Sequence, residues 1–517
     1  MGLGRRSVSP RLLSSVLGDG RATAQAACDE RRQQSARNHS VDALVGFGLA
    51  LTVTGVGWLL ARATWDNYDG VIMGQVAMQI VDKHSIVVPV DPYHLNSPHS
   101  FYGIGMSLLM IPTMELLKHL GSTQEAGTMA TNAWLLGLLT GVTYAWCRIR
   151  NLGIFAAGVV ALIIALGAGL LPFASTGFAE VALATAIAAG LLGVTATSLG
   201  CSWGPILVGA AAGAAVVTRD DSLLLIAPWL IGGALVAASD RIRTLIQLAL
   251  GGLPFGVVWC WYNYARFGTP LSVGYSGVLK FNHPVVKGLY GLVASPGKGL
   301  VFYAPIILVA MVGVPRAWRR SRTVTVVAAG LLLSRLAFFA PYWGWYGGGG
   351  FGPRYVLPAT PVLAVGLMEV VLVVRRQPVT WQAAVVVLAG VSVLVGVAGA
   401  AVDYQRDNLL VAVSRDPSTR FVTTSRQAFL AELEAPSYDV VVDRHMFDWG
   451  EFPITDEISR LAHEKDIASP ALEHPIDRAR LGSAAGLFVG GLFVLGLGNW
   501  ISRFRRDDSL DGHDPTS

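Results

Sequence analysis

Ile104-Gly105-Met106-Ser107-Leu108-Leu109-Met110-Ile111-Pro112-Thr113-Met114-Glu115-Leu116-Leu117 is the stretch on which the fold turns. A membrane span needs about 20 apolar residues, and this run is shorter and polar-flanked. Read as a helix lying in the outer interface, it lets the next apolar run, Thr128–Ala145, cross inward and deliver Arg148-Ile149-Arg150 to the cytosol. Read as a span, it inverts everything downstream and puts the arginine clusters outside, against the positive-inside rule.

Working outward from that choice, the first span is Val41–Ala61, preceded by an Arg-rich tail. Beyond Thr128–Ala145, Ile154–Pro172 runs out and Val181–Leu199 in; Pro205–Val217 runs out and Leu223–Ala238 returns to Arg241 and Arg243. Leu245–Tyr262 runs out and Leu300–Val314 returns to Arg316, Arg319, Arg320 and Arg322. Val324–Ala340 runs out and Tyr355–Val374 returns to Arg375-Arg376; Thr380–Ala401 runs out and Ser483–Ile501 comes back to Arg503, Arg505 and Arg506. The expected fold is an all-α polytopic membrane protein of about 12 transmembrane helices with both termini cytosolic. Composition agrees. Of 517 residues only 14% are charged and 53% are hydrophobic, and the mean hydropathy is +0.51. A soluble domain has about 25% charged residues.

The expected division is a disordered basic cytosolic tail (1–40), a transmembrane domain (41–401), an acidic extracytoplasmic segment (402–482), a last transmembrane helix (483–501) and a cytosolic tail (502–517). The external loop 64–127 carries two juxtamembrane helices, an amphipathic run at Val71–Val81 and the Ile104 run. Segment 402–482 holds 15 acids against nine bases, with a strand expected at Tyr438–Val442. The Arg-rich tail orients the first span rather than binding nucleic acid, and no cleaved signal peptide is read. Cys28, Cys147, Cys201 and Cys260 lack both metal spacing and a partner across the membrane. His94 and His99 are poorly spaced for a metal pair; no metal site is expected, and a divalent cation is left open.

The chemistry collects on the outside. Trp65-Asp66-Asn67-Tyr68-Asp69-Gly70 follows the first span, and a carboxylate there suits a general base, with helix capping as the plain alternative. Glu180 opens an apolar helix, where it is either functional or a complement to the helix dipole. Arg219 stands at an outer boundary, neutralised by Asp220 or Asp221 or meeting an anion. Lys298 sits between glycines, and Arg354 heads a span. Arg335 lies inside a span and needs a partner in the bundle. The aromatics Tyr342, Trp343, Trp345, Tyr346 and Tyr355, with Tyr102, are either an interfacial belt or a platform for sugar rings. Carboxylates that activate a hydroxyl, beside cations that hold a departing phosphate, suit glycosyl transfer from a lipid phosphate.

On these residues the chain resembles the GT-C superfamily of membrane glycosyltransferases, particularly the branch of protein O-mannosyltransferases and lipid A aminoarabinose transferases. The resemblance runs from Val41 to Val374. It rests on Asp66-Asn67-Tyr68-Asp69-Gly70 with Tyr102-Gly103-Ile104-Gly105, on Glu180, on Arg219 where relatives often carry Lys, and on Gly352-Pro353-Arg354-Tyr355. It implies a GT-C-like fold in the plasma (inner) membrane, with an extracytoplasmic active site. It also implies a polyprenyl-phosphate sugar donor and a glycan, lipid or protein acceptor in the envelope, with inversion at the anomeric carbon. Carried over, Asp69 is the base and Asp66 its alternative, because the family pattern often reads Asp-Glu. Glu180 positions acceptor or sugar, and Arg219, Lys298 and Arg354 contact the donor phosphate. The Ala-, Gly-, Val- and Arg-rich composition fits a high-GC bacterium, in which mannose and arabinose polyprenyl donors are expected. A transporter or lipid flippase and a non-catalytic envelope-assembly subunit are the competing classes; the missing internal repeat and the large external loops weigh against transport.

Overall fold

The computed structural model describes residues 40–60, 68–88, 98–274, 280–348 and 350–401, together with Phe447 and Gly491. Asp66, the strand expected at Tyr438–Val442 and nearly all of both tails, the acidic segment and the last span lie outside the described residues. Gly491, in that last span, lies against Gly48 and Thr52 of the first helix.

The described residues are helical throughout apart from turns and one isolated bridge between Val87 and His99. Helix α1 is Ser40–Leu60. The first loop supplies α2 (Tyr68–Lys83), α3 (Ile104–His119) and α4 (Gln124–Met129), and then come α5 (Thr131–Ile149), α6 (Ile154–Gly167), α7 (Glu180–Ser198) and α8 (Gly204–Thr218). A broken pair, α9 (Ser222–Leu225) and α10 (Ala227–Ala237), precedes the long α11 (Arg241–Phe267). Short α12 (Val285–Ala294) and α13 (Leu300–Tyr303) lead to α14 (Ile306–Arg320) and α15 (Arg322–Phe339); after a 3-10 stretch, Leu357–Leu363, follow α16 (Ala364–Val373) and α17 (Val379–Ala401).

Six of these helices among the described residues are long and apolar enough to cross a membrane: Ser40–Leu60, Glu180–Ser198, Arg241–Phe267, Arg322–Phe339, Leu357–Arg376 and Val379–Ala401. The count is lower than the expected 12 partly because proline interrupts several predicted runs. Proline has no N–H and collides with the preceding turn. The predicted Leu223–Ala238 breaks at Ile226, before Pro228, and Leu300–Val314 breaks around Pro305. Pro358 and Pro361 turn the start of Leu357–Arg376 into a 3-10 helix. Helix α7 is the most enclosed of the six. Small residues bring the others close, as lipid-embedded packing requires: Gly209 and Gly251 seat α8 on α11, and Gly313 and Gly366 seat α14 on α16.

Two groups of charges mark the two ends of the bundle. At one end, Asp42 at the start of α1 takes a bidentate pair from Arg148 at the end of α5, both bonds 2.9 Å. Glu369 of α16 pairs with Arg150 at 3.3 Å and with Arg320 of α14 at 3.6 Å. At the other end lie the termini that carry Asp69, Glu180, Arg219 and Arg354. The geometry settles the course of α3. Its first residues are wedged against the last turn of α8, where Gly103 meets the Val217 carbonyl and Gly105 meets Thr218. Near its far end, Leu117 packs in one cluster with Trp58, near the exit of α1, and Ala130, whose carbonyl accepts from Trp58 at 3.0 Å. Helix α3 therefore begins and ends at one end of the bundle. One stripe of it (Met106, Met110, Thr113, Met114 and Leu117) is buried, while Leu108 and Leu116 face outward.

Candidate active site

Glu180 is placed from both sides. It occupies the first turn of α7, where the helix dipole favours an anion. The loop before it is fixed by Asn132, whose amide donates to the carbonyls of Thr176 (2.8 Å) and Phe178 (2.6 Å). Gly177 in that loop lies against Gly70, and a side chain at position 177 would separate the loop from α2. Two helix N-termini are thus held together, and Asp69 in the first turn of α2 shares a site with the fully buried Glu180.

Arg354 bridges them. Its Nε donates to Glu180 Oε1 at 2.8 Å and its Nη2 to Asp69 Oδ2. The other Asp69 oxygen accepts from the Tyr102 hydroxyl at 2.5 Å. The arginine stem runs through a gap made by the glycine turn: Gly347 and Gly352 have φ of 77° and 54°, and a Cβ at Gly347 or Gly350 would strike the Arg354 side chain. Its guanidinium lies 3.8 Å from the Phe178 ring centroid. Burial disfavours its charge, but the Asp69 and Glu180 carboxylates outweigh that and raise its pKa well above the usual arginine value.

The ion pairs continue in alternation. Arg219 reaches Glu180 at 3.5 Å and Asp221 at 2.9 Å. Asp221 lies 4.0 Å from Arg335, whose side chain is fully enclosed and whose Nε donates to the Tyr355 carbonyl at 2.7 Å. Asp69, Arg354, Glu180, Arg219, Asp221 and Arg335 therefore form one chain of alternating sign. A buried charge is tolerated when it is paired and costs several kcal/mol when its partner is removed. Tyr355 stacks on Phe339 at 4.5 Å and meets Tyr342 edge-on at 5.9 Å. Burial raises the pKa of both tyrosines, so both stay neutral hydrogen-bonding groups.

The structure brings together Asp69, Tyr102, Glu180, Arg219, Arg354, Tyr342 and Tyr355. Lys298 is buried behind the glycine turn, its ammonium bonded to the carbonyls of Gly348 (3.4 Å) and Gly350. Trp343 follows Tyr342, and its buried indole N–H has no hydrogen-bond acceptor among the described residues. Trp345 and Tyr346 are core residues here, Trp345 packing against His283 and Phe447. Sequence reasoning left Asp221 and Arg335 outside the site, although an arginine within an apolar span was the available signal. It missed Asn132, which looks unremarkable in sequence. Among the described residues no group of three His, Cys, Asp or Glu side chains is spaced for a metal ion.

No protein-family model and no curated protein matches the sequence. Among solved structures the chain is similar to ArnT from Cupriavidus metallidurans in the apo state, at 18% identity and a TM-score of 0.47, over 92% of this chain and 77% of that one. ArnT bound to undecaprenyl phosphate matches at 16% identity and a TM-score of 0.47, over 87% and 75%. The archaeal oligosaccharyltransferase AglB from Archaeoglobus fulgidus, in complex with an inhibitory peptide and a dolichol-phosphate, matches at 11% identity and a TM-score of 0.40, over 78% and 60%. At these identities and scores the functional reading is carried by this chain's own residues.

Proposed function

We propose that this chain is an integral membrane glycosyltransferase that moves a sugar from a polyprenyl-phosphate donor to a hydroxyl of an extracytoplasmic glycan, lipid or protein. The observation that carries the reading is the pairing of two carboxylates, Asp69 and Glu180, through one buried guanidinium, Arg354. A carboxylate base beside an arginine gives the two charges that the reaction needs.

In this reading the Asp69 carboxylate takes the proton of the acceptor hydroxyl. The acceptor oxygen forms its bond to the anomeric carbon as the bond from that carbon to the phosphate oxygen breaks. The electron pair leaves with the polyprenyl phosphate, which Arg354 and Arg219 receive. Attack opposite the leaving group inverts the anomeric centre. Asp69 is held by Tyr102 and Arg354 in the free protein, so an anionic donor that draws Arg354 toward its phosphate also frees the base. Glu180 keeps Arg354 aligned during that exchange and orients the sugar or acceptor. Tyr342, Trp343 and Tyr355 supply ring faces and donors to the sugar, and Lys298 acts by bracing the turn that carries Arg354. Asp66 remains the alternative base.

The test is mass spectrometry of envelope glycans from a deletion strain carrying wild type, Asp69→Asn or Asp66→Asn. Removing a general base lowers turnover by about 10²- to 10⁴-fold. The expected result is a missing sugar that wild type restores and a folded Asp69→Asn variant does not. Restoration by Asp69→Asn but not Asp66→Asn moves the base to Asp66, and restoration by both overturns the mechanism.

A further inference from the structure

Arg266 ends α11 in a run of aromatic residues, with no place in the chemistry above. It is buried, as is its neighbour Asn263. Its Nη1 donates to the carbonyls of Ser100 (2.7 Å) and Tyr102 (2.9 Å), gripping the backbone on either side of Phe101. Its Nη2 donates to Asn263 Oδ1 at 2.5 Å, and the guanidinium stacks 4.0 Å from the Tyr262 ring centroid and 4.5 Å from that of Phe267. The gripped turn is tightened further: the Tyr102 N–H donates to Ser100 Oγ at 3.1 Å, and Gly103 is pressed on the end of α8. Arg266 bonds the main chain of the same residue whose side chain ends on Asp69.

We propose that Arg266 is a positioning residue for Asp69: it fixes the Ser100–Tyr102 turn and so sets the Tyr102 hydroxyl on the carboxylate. The planar fork of an arginine can hold two carbonyls and a side-chain amide at once, which a lysine ammonium on a flexible stem does less rigidly. The charged group near it is Asp220, which lies close enough to feel its charge, and the titratable group packed on it is Tyr262. Those facing Asp69 are Arg354 and Tyr102, with Tyr342, Tyr355 and Glu180 beyond. The proposal gives a role to the base assignment made above, but its test needs no turnover, so the two can fail separately.

Dicyclohexylcarbodiimide, an apolar reagent, modifies carboxyl groups in their protonated form. The pH dependence of its reaction at Asp69, followed by peptide mass spectrometry on the full-length protein in membranes, reports the protonation of that side chain. A hydroxyl that donates to a carboxylate favours the ionised form. Tyr102→Phe is therefore expected to raise the midpoint of labelling by about 1 pH unit. Arg266→Gln is expected to raise it in the same direction, Arg266→Lys by less, and the Tyr102→Phe/Arg266→Gln double variant by no more than Tyr102→Phe alone. If Arg266→Gln fails to fold, Asn263→Ala, which removes one anchor of the guanidinium, is expected to give a smaller shift of the same sign. A wild-type midpoint in Arg266→Gln, or in Asn263→Ala where only that variant folds, would overturn the proposal, as would a Tyr102→Phe midpoint that does not move.

Discussion

Arg354 makes opposite demands on its two replacements. Arg354→Lys keeps a charge but loses the fork that spans Asp69 and Glu180; Arg354→Gln loses the charge and leaves Glu180 buried beside Arg219 alone. Binding of undecaprenyl phosphate, measured by native mass spectrometry, is expected to weaken about 10-fold in the first and about 100-fold in the second, since a charge-assisted bond is worth roughly 1.5–3 kcal/mol. Equal, unimpaired binding would take Arg354 away from the phosphate. Asp220 gives a pH test. Burial raises its pKa and the Trp259 N–H at 2.8 Å only partly opposes this, so the folded protein holds the proton more tightly than the unfolded chain. The penalty is absent below the unfolded value of about 3.9 and grows as pH rises through the folded value. Asp220→Asn keeps an acceptor for Trp259, so its thermal stability is expected to exceed wild type at pH 7 and to converge with it near pH 4. The identities of Glu180, Arg219 and Arg354 were legible because each breaks a membrane rule. Their pairings were not, because Asp69 and Arg354 are 285 positions apart and no local pattern encodes that distance.

Helix α3 depends on what its glycines omit. A Cβ at Gly105 would stand 2.6 Å from the Thr218 hydroxyl and 2.8 Å from its backbone, so Gly105→Val forces α3 off the end of α8. Overpacking of this kind costs about 1–3 kcal/mol. A lower melting temperature in detergent is expected, together with loss of transfer as Tyr102 moves with the helix. Gly256→Ala in the middle of α11 is the opposite case. Nothing lies within 4 Å of the new methyl, and a helical Ala gains about 0.4–1 kcal/mol over Gly. An unchanged Gly105→Val would mean that α3 is not docked on α8. Most helices were legible to within a few residues, since an apolar run bounded by Arg or Gly is a strong signal. The breaks at Ile226 and Pro305 were not, because a hydropathy window averages over one residue.

The whole bundle sorts its charge by end, and the positive-inside rule assigns the Asp42–Arg148 end to the cytosol. In a variant with Cys28, Cys147, Cys201 and Cys260 replaced, single cysteines at His119 and Thr269 are expected to react with a membrane-impermeant maleimide in intact cells. Cysteines at Arg243 and Arg319 are expected to react only after permeabilisation. The reverse pattern would invert the protein and put the site inside. The arginine clusters gave the expected direction that this labelling tests, while Asp42 and Glu369, the partners of Arg148, Arg150 and Arg320, drew no notice because attention to charge at that end went to the arginines. The alternating chain from Asp69 to Arg335 holds three carboxylates and three guanidiniums, and so has no net charge. A sugar phosphodiester carries one negative charge, whereas the phosphomonoester released from it carries about 1.5 to 2. A pocket with surplus cations would grip the spent lipid more tightly than the fresh one and stall; a balanced pocket has no such bias. For the proposed transfer, that balance would leave the six paired groups with no surplus positive charge to favour the released phosphate.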